Sequence, residues 1–153
     1  MSEERAFART FDSLQEIFEF TAGYFARHGV DPRIQNTVDF AVEELFTNMV
    51  KYGATAEPGS RVRIALEAVA DGVEVALTDI GVEPFDMTKA PDANVDLPVE
   101  QRRPGGLGLH LIRRLVDSWD YEYSPERRES RITFKKTLAG MPAPGNASTT
   151  GEA

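Results

Sequence analysis

Apolar residues change their period several times along the chain, and each change predicts an element. Residues 5–11, Arg-Ala-Phe-Ala-Arg-Thr-Phe, alternate like a short strand. Ser13 and Glu16 have the spacing of a capping box. The helix that follows carries Leu14, Ile17, Phe18, Phe20, Tyr24 and Phe25 on one broad apolar face to about Arg27, and Gly29 stops it. Asp31-Pro32 reads as the N-cap and first position of a second helix, with Ile34, Val38, Ala41, Val42, Leu45, Met49 and Val50 at helical spacing and Gly53 closing it.

The turn Glu57-Pro58-Gly59-Ser60 ends the helical pattern. Val62, Ile64, Leu66 and Ala68 then alternate, as do Val73, Val75 and Leu77 beyond Asp71-Gly72, which predicts a hairpin. Residues 80–104 hold four of the nine prolines and no apolar period, so they predict a long loop of the kind that serves as a lid. A third helix is expected from Leu107 to about Asp117, then strands near 119–124 and 130–138. Helices gathered against a largely antiparallel, mixed sheet make an α+β two-layer sandwich. The expected domain spans 1–138, and the Gly, Ala, Pro, Ser and Thr of 139–153 predict a disordered tail.

With 153 residues, 41% of them hydrophobic, one core is the expectation. The chain has no cysteine, which excludes disulfides, thiolate nucleophiles and sulfur-bound zinc. His28 and His110 are too few and too far apart to suggest a metal cluster, and both read as structural. No apolar run reaches the roughly 20 residues of a membrane span and no signal peptide opens the chain, so a cytoplasmic protein without membrane contact is expected. Net charge is −8, but residues 1–100 hold 8 basic and 19 acidic side chains against 9 basic and 5 acidic in 101–138. A phosphorylated small molecule suits the basic part without asking an acidic body to approach a nucleic acid.

Three short constellations carry candidate chemistry. In the second helix Asn48 and Lys51, four and seven positions after Glu44, lie within about 40° of it, which puts a carboxylate, an amide oxygen and an ammonium on one stripe. Those groups suit a base, an oxygen ligand for Mg²⁺ and a charge for phosphate, although a solvated helix edge has the same pattern. At the end of the second hairpin strand, Asp79 can accept from an exocyclic amine while Gly81 lets backbone approach a flat ring; an ordinary turn reads alike. Pro104-Gly105-Gly106-Leu107-Gly108-Leu109 stands before an apolar helix, where unpaired N–H groups and the helix dipole favour phosphate. Neither Gly-x4-Gly-Lys-Ser/Thr nor Gly-x-Gly-x-x-Gly after a strand is present.

In order and spacing the three resemble the GHKL ATPases of the Bergerat fold. Glu44-x-x-x-Asn48 stands at the family's N box, Asp79-x-Gly81 at its first glycine box and Gly106-Leu107-Gly108-Leu109 at its second, with the loop between as the ATP lid. Ser130 stands where the family usually has a threonine near adenine. Size and the opening strand and helix are similar to the bacterial anti-sigma-factor serine kinases. That resemblance implies an ATP- and Mg²⁺-dependent kinase that holds a sigma factor, phosphorylates a serine on a small antagonist protein, and pairs as a homodimer. It also implies Glu44 as general base, Asn48 as Mg²⁺ ligand and Asp79 as adenine reader, with Lys51, Gly81, Gly105, Gly106, Leu107, Gly108, Leu109 and Ser130 around the nucleotide. Glu83 replaces the second glycine of the family's Asp-x-Gly-x-Gly, and Glu129 a glycine before Ser130. Arg102 and Arg103 are candidates for the γ-phosphate, Arg103 preferred.

Other readings remain open at this point. A histidine-kinase catalytic domain would share the site, but no helix here carries a phospho-accepting histidine. A catalytically silent, nucleotide-dependent binding module has the same sequence signature. Direct nucleic-acid binding through Arg113, Arg114, Arg127, Arg128 and Arg131 is disfavoured, because no aromatic residues are interleaved with them.

Overall fold

The structure is a computed structural model and describes residues 2–51, 56, 58–89 and 106–139, with Gly106 and Leu107 described for their backbone alone. In chain order the elements are β1 (Ser2–Ala8), α1 (Ser13–His28), α2 (Pro32–Lys51), β2 (Arg61–Val69), β3 (Gly72–Ile80), a 3₁₀ turn (Met87–Lys89), α3 (Gly106–Leu115), β4 (Ser118–Ser124) and β5 (Glu129–Thr137). The sheet order is β1-β2-β3-β5-β4, and all four pairings are antiparallel.

Alternation decides which sheet face meets the helices. Val62, Ile64 and Leu66 of β2, Val73, Val75 and Leu77 of β3, and Ile132 and Phe134 of β5 are all buried in one core with Ile17, Tyr24, Leu45, Phe46 and Ile112. Cross-strand partners match in register, with Ile64 opposite Leu77 and Leu77 opposite Ile132, so each layer of the sheet presents a continuous apolar row. The α+β two-layer reading therefore holds, and its sheet is antiparallel throughout the described pairings rather than mixed.

Several local expectations are corrected. The first strand is Ser2–Ala8 and not 5–11; Thr10 and Phe11 lie in the following turn. Ser13 does not form a capping box, because it is already helical and its hydroxyl donates to the Ala8 carbonyl at 2.7 Å, while Glu16 pairs with Arg5. At the other end of α1 the sequence signal is met. Gly29 is left-handed at φ 64°, and Val30 N–H reaches the Phe25 carbonyl to complete a Schellman close. Asp31 accepts from the Arg33 N–H at 2.8 Å and caps α2, as Asp31-Pro32 predicts.

The hairpin turn centres on Ala70 and Asp71, and Gly72 is already paired with Val69. A Cβ at position 72 would overlap the Lys136 carbonyl and the Thr137 Cα, so glycine is needed there for strand approach and not for the turn. Gly72→Ala is expected to lower the unfolding free energy by about 1–3 kcal/mol in urea denaturation, through overpacking against β5 backbone.

The expected long loop is only partly loop-like. Val82 and Met87 are buried, and two tyrosines of β4 tie the segment down: Tyr121 accepts from the Phe85 N–H at 3.0 Å and Tyr123 donates to the Val82 carbonyl at 2.8 Å. Residues 90–105 lie outside the described residues, and with them Arg102, Arg103 and Gly105. So do Gly53 and most of the expected tail.

Candidate functional site

The last turns of α2 carry the first constellation, and the depth of its members differs. Asn48 is 1% exposed although it is a primary amide in a helix. Neither Oδ1 nor Nδ2 completes an aligned hydrogen bond, the nearest approach being that of the amide to the Glu44 carboxyl, and such an arrangement costs free energy unless a ligand uses those atoms. Glu44, one turn earlier, is half-buried. Desolvation raises the pKa of its carboxyl above the usual value, opposed by the Lys51 charge and the neighbouring Asn48 amide and aided by Glu43. Lys51 ends the helix and is exposed. The predicted stripe therefore exists, running from a buried amide to a solvent-facing ammonium.

Asp79 and Ser130 face each other across β3 and β5 in register. Asp79 is 7% exposed; burial raises its pKa, and an ion pair with Arg9 opposes that shift. Ser130 Oγ and Tyr121 Oη share a hydrogen bond of 3.1 Å. Gly81 is needed for its backbone: at φ 74° it turns the chain out of β3, and its N–H and that of Val82 both donate to the Arg128 carbonyl. Glu83, the departure from the family pattern, accepts from Arg128 at 2.9 Å near the rim.

Asn48, Asp79 and Ser130 line one cavity with Glu83 and Tyr121 and with the apolar Met49, Val82, Phe85, Met87 and Ile132, so polar groups of several kinds open onto a partly apolar space. Its volume is about 40 Å³, the size of a few water molecules rather than of a purine.

The third constellation meets the first. A Cβ at Gly108 would overlap the carboxyl carbon and Oε2 of Glu44, so the first turn of α3 rests directly on that side chain. Glycine at 108 is thus explained by Glu44, in addition to any backbone N–H offered to phosphate, and Leu109 beside it is buried in the core. The Gly106 backbone opens α3. Gly108→Ala is expected to displace the Glu44 carboxyl, the flexible end of its side chain, at a stability cost of about 1 kcal/mol read by urea unfolding.

Sequence reasoning missed Arg9, Tyr121 and Met87. The aromatic at every second position of β4, Trp119, Tyr121 and Tyr123, is visible in the sequence, yet nothing local shows that the two tyrosine hydroxyls reach residues 82–85. Three of the arginines considered for nucleic acid are engaged within the fold: Arg113 stacks on Trp119 and donates to the Thr88 carbonyl, Arg127 pairs with Glu129 and Arg128 with Glu83. His28 stacks on Tyr24 at 4.1 Å and contacts Glu3, as a structural histidine does. Among the described residues no helix is long and apolar enough to cross a membrane.

The histidine kinase-like ATPase domain family matches residues 7–135. The chain belongs to that family. By sequence it is 33% identical over 81 residues to the serine-protein kinase RsbW of Oceanobacillus iheyensis, covering 50% of this chain and 51% of that protein. It is 31% identical over 100 residues to the serine-protein kinase RsbW of Listeria innocua, covering 63% of each. The chain thus spans between about half and two thirds of these curated relatives. Among solved structures, the histidine kinase AdeS of Acinetobacter baumannii aligns over 90% of this chain and 68% of its own, at 15% identity and a TM-score of 0.46.

Proposed function

We propose that this chain is a Mg²⁺- and ATP-dependent serine kinase that phosphorylates a small antagonist protein and, in turn with it, holds a sigma factor. The observation that carries the reading is Asn48, a buried amide without a hydrogen-bond partner that opens onto the same cavity as Asp79 and stands one turn from a half-buried carboxylate. Its Oδ1 fits the oxygen donor set of a hard cation. When bound, Mg²⁺ would neutralise charge on the phosphates. The two relatives named as serine-protein kinases favour serine as acceptor.

The side chains then divide the work. Asp79 would accept from the adenine amine with Ser130 opposite it, and Met49, Val82 and Ile132 on the cavity wall would meet the ring once the cavity has widened to admit it. Lys51 offers positive charge to the phosphates. Glu44 accepts the proton of the incoming serine hydroxyl as that oxygen bonds to the γ-phosphorus and the bond to the β-phosphate oxygen breaks, releasing ADP. Incubation with labelled ATP and a candidate antagonist tests the reading: phosphoserine on the partner is expected. ATP bound without transfer would leave a nucleotide-dependent binding module, the weaker alternative.

A further inference from the structure

Arg9 follows β1, and its side chain turns inward with 11% of its surface exposed. The guanidinium joins distant parts of the chain. Nη1 donates to the Met49 carbonyl at 3.2 Å, Nη2 to the Ile80 carbonyl at 3.2 Å, and Nε and Nη2 to Ser60 Oγ at 3.3 and 3.1 Å. Nη2 also forms the ion pair with Asp79 Oδ1, a charge contact in which that buried oxygen completes no aligned hydrogen bond. The Met49 carbonyl lies in the last turn of α2, where carbonyls lack helical partners and a cation complements the dipole. Asn48 is the residue before it.

We propose that Arg9 is a positioning residue for base recognition, fixing the Asp79 carboxylate from outside the cavity and tying it to the helix turn that bears Asn48. The proposal rests on the reading of the cavity as an adenine site. Arg9 is not among the described residues lining that cavity, so it acts through Asp79 and not on the nucleotide. A carboxylate buried beside Val82, Met87 and Ile132 needs a partner to stay ionised and a fixed one to stay oriented. The planar fork of arginine supplies both, and the carbonyls of Met49 and Ile80 hold the fork itself. An ionised, oriented carboxylate accepts from the amino group of adenine and repels the keto oxygen that guanine has in its place, which makes Arg9 a determinant of base selectivity.

The test is calorimetric titration of the full chain with Mg-ATP and Mg-GTP, alongside thermal melting, for the wild type, R9Q, R9K, D79N and R9Q/D79N. The wild type is expected to prefer ATP. R9Q is expected to lose about tenfold or more in ATP affinity, with its ATP-to-GTP ratio moving toward one, and R9K, which keeps charge but loses the fork, to fall between. R9Q/D79N is expected to bind as D79N does, within about twofold, because the arginine has no carboxylate left to position. A lower melting temperature with both nucleotides weakened by the same factor would mean Arg9 is only structural and overturns the proposal. An unchanged ratio in R9K, whether or not R9Q folds, overturns the role of the fork. A wild type that binds no ATP, or binds GTP equally, overturns the site reading and the Arg9 role together; a wild type that prefers ATP while R9Q keeps the same ratio overturns the Arg9 role alone.

Discussion

Glu44→Gln is expected to bind Mg-ATP almost as the wild type does and to phosphorylate the antagonist about 10²- to 10⁴-fold more slowly, the range a general base contributes. The side chain keeps its shape and its contact with Gly108, so the geometry around α3 survives while the proton acceptor is lost. Burial raises the pKa of this carboxyl, which makes it a better base once ionised and places the acid limb of the wild-type rate above the ordinary glutamate range. As pH falls through that limb the carboxylate takes a proton and transfer slows; Gln removes the limb. Glu43→Gln is the control, since one residue along the helix turns the side chain about 100° away, and Glu43 is exposed. Single-turnover transfer with labelled ATP measures both. Wild-type rates in Glu44→Gln would end the kinase reading, and an inactive Glu43→Gln would shift its register.

Asn48→Ala is expected to abolish Mg²⁺-dependent ATP binding while leaving the fold as stable as before or slightly more so. The two expectations come from one observation. A buried amide with both polar atoms unpartnered has been desolvated without return in the free protein, so deleting it relieves that cost and leaves a small cavity whose effect opposes the gain. What is lost is the oxygen ligand. Calorimetry with and without Mg²⁺, beside urea unfolding, reads both quantities. A mutant that unfolds about 2 kcal/mol or more more easily would show that Asn48 packs the core, and unchanged affinity would remove the metal ligand.

Much of this was legible before the structure. Periods of two and 3.6 belong to side chains that face one core, so β2, β3, α1, α2 and β5 announce themselves, and Gly29 and Asp31 mark a helix end and a helix start through backbone chemistry that acts over a few residues. β1 was misplaced because its first half, Ser2–Arg5, is an edge held by backbone pairing to 64–67 and has no apolar rhythm. Helical geometry put Glu44, Asn48 and Lys51 on one stripe, but it fixes angle and not depth, so the burial of Asn48 could not be read. Gly108 was seen as a phosphate-side glycine because its neighbours in sequence are glycines; the Glu44 carboxyl that requires it is 64 positions away, on another helix. Arg9 is the extreme case, since its partner at Ile80 is 71 residues distant and every local signal placed it on a strand.

The ties from Tyr121 and Tyr123 to residues 82–85 bear on the strength of nucleotide binding as well as on its geometry. On the proposed adenine reading they bound a cavity of about 40 Å³, and molecules in which this segment has moved aside are the competent ones. The measured dissociation constant is then the intrinsic one divided by the competent fraction. Two tyrosine hydroxyls, one of them on the cavity wall, would thereby set a threshold: the nucleotide level at which half the protein is loaded rises as they hold more firmly and falls as they let go.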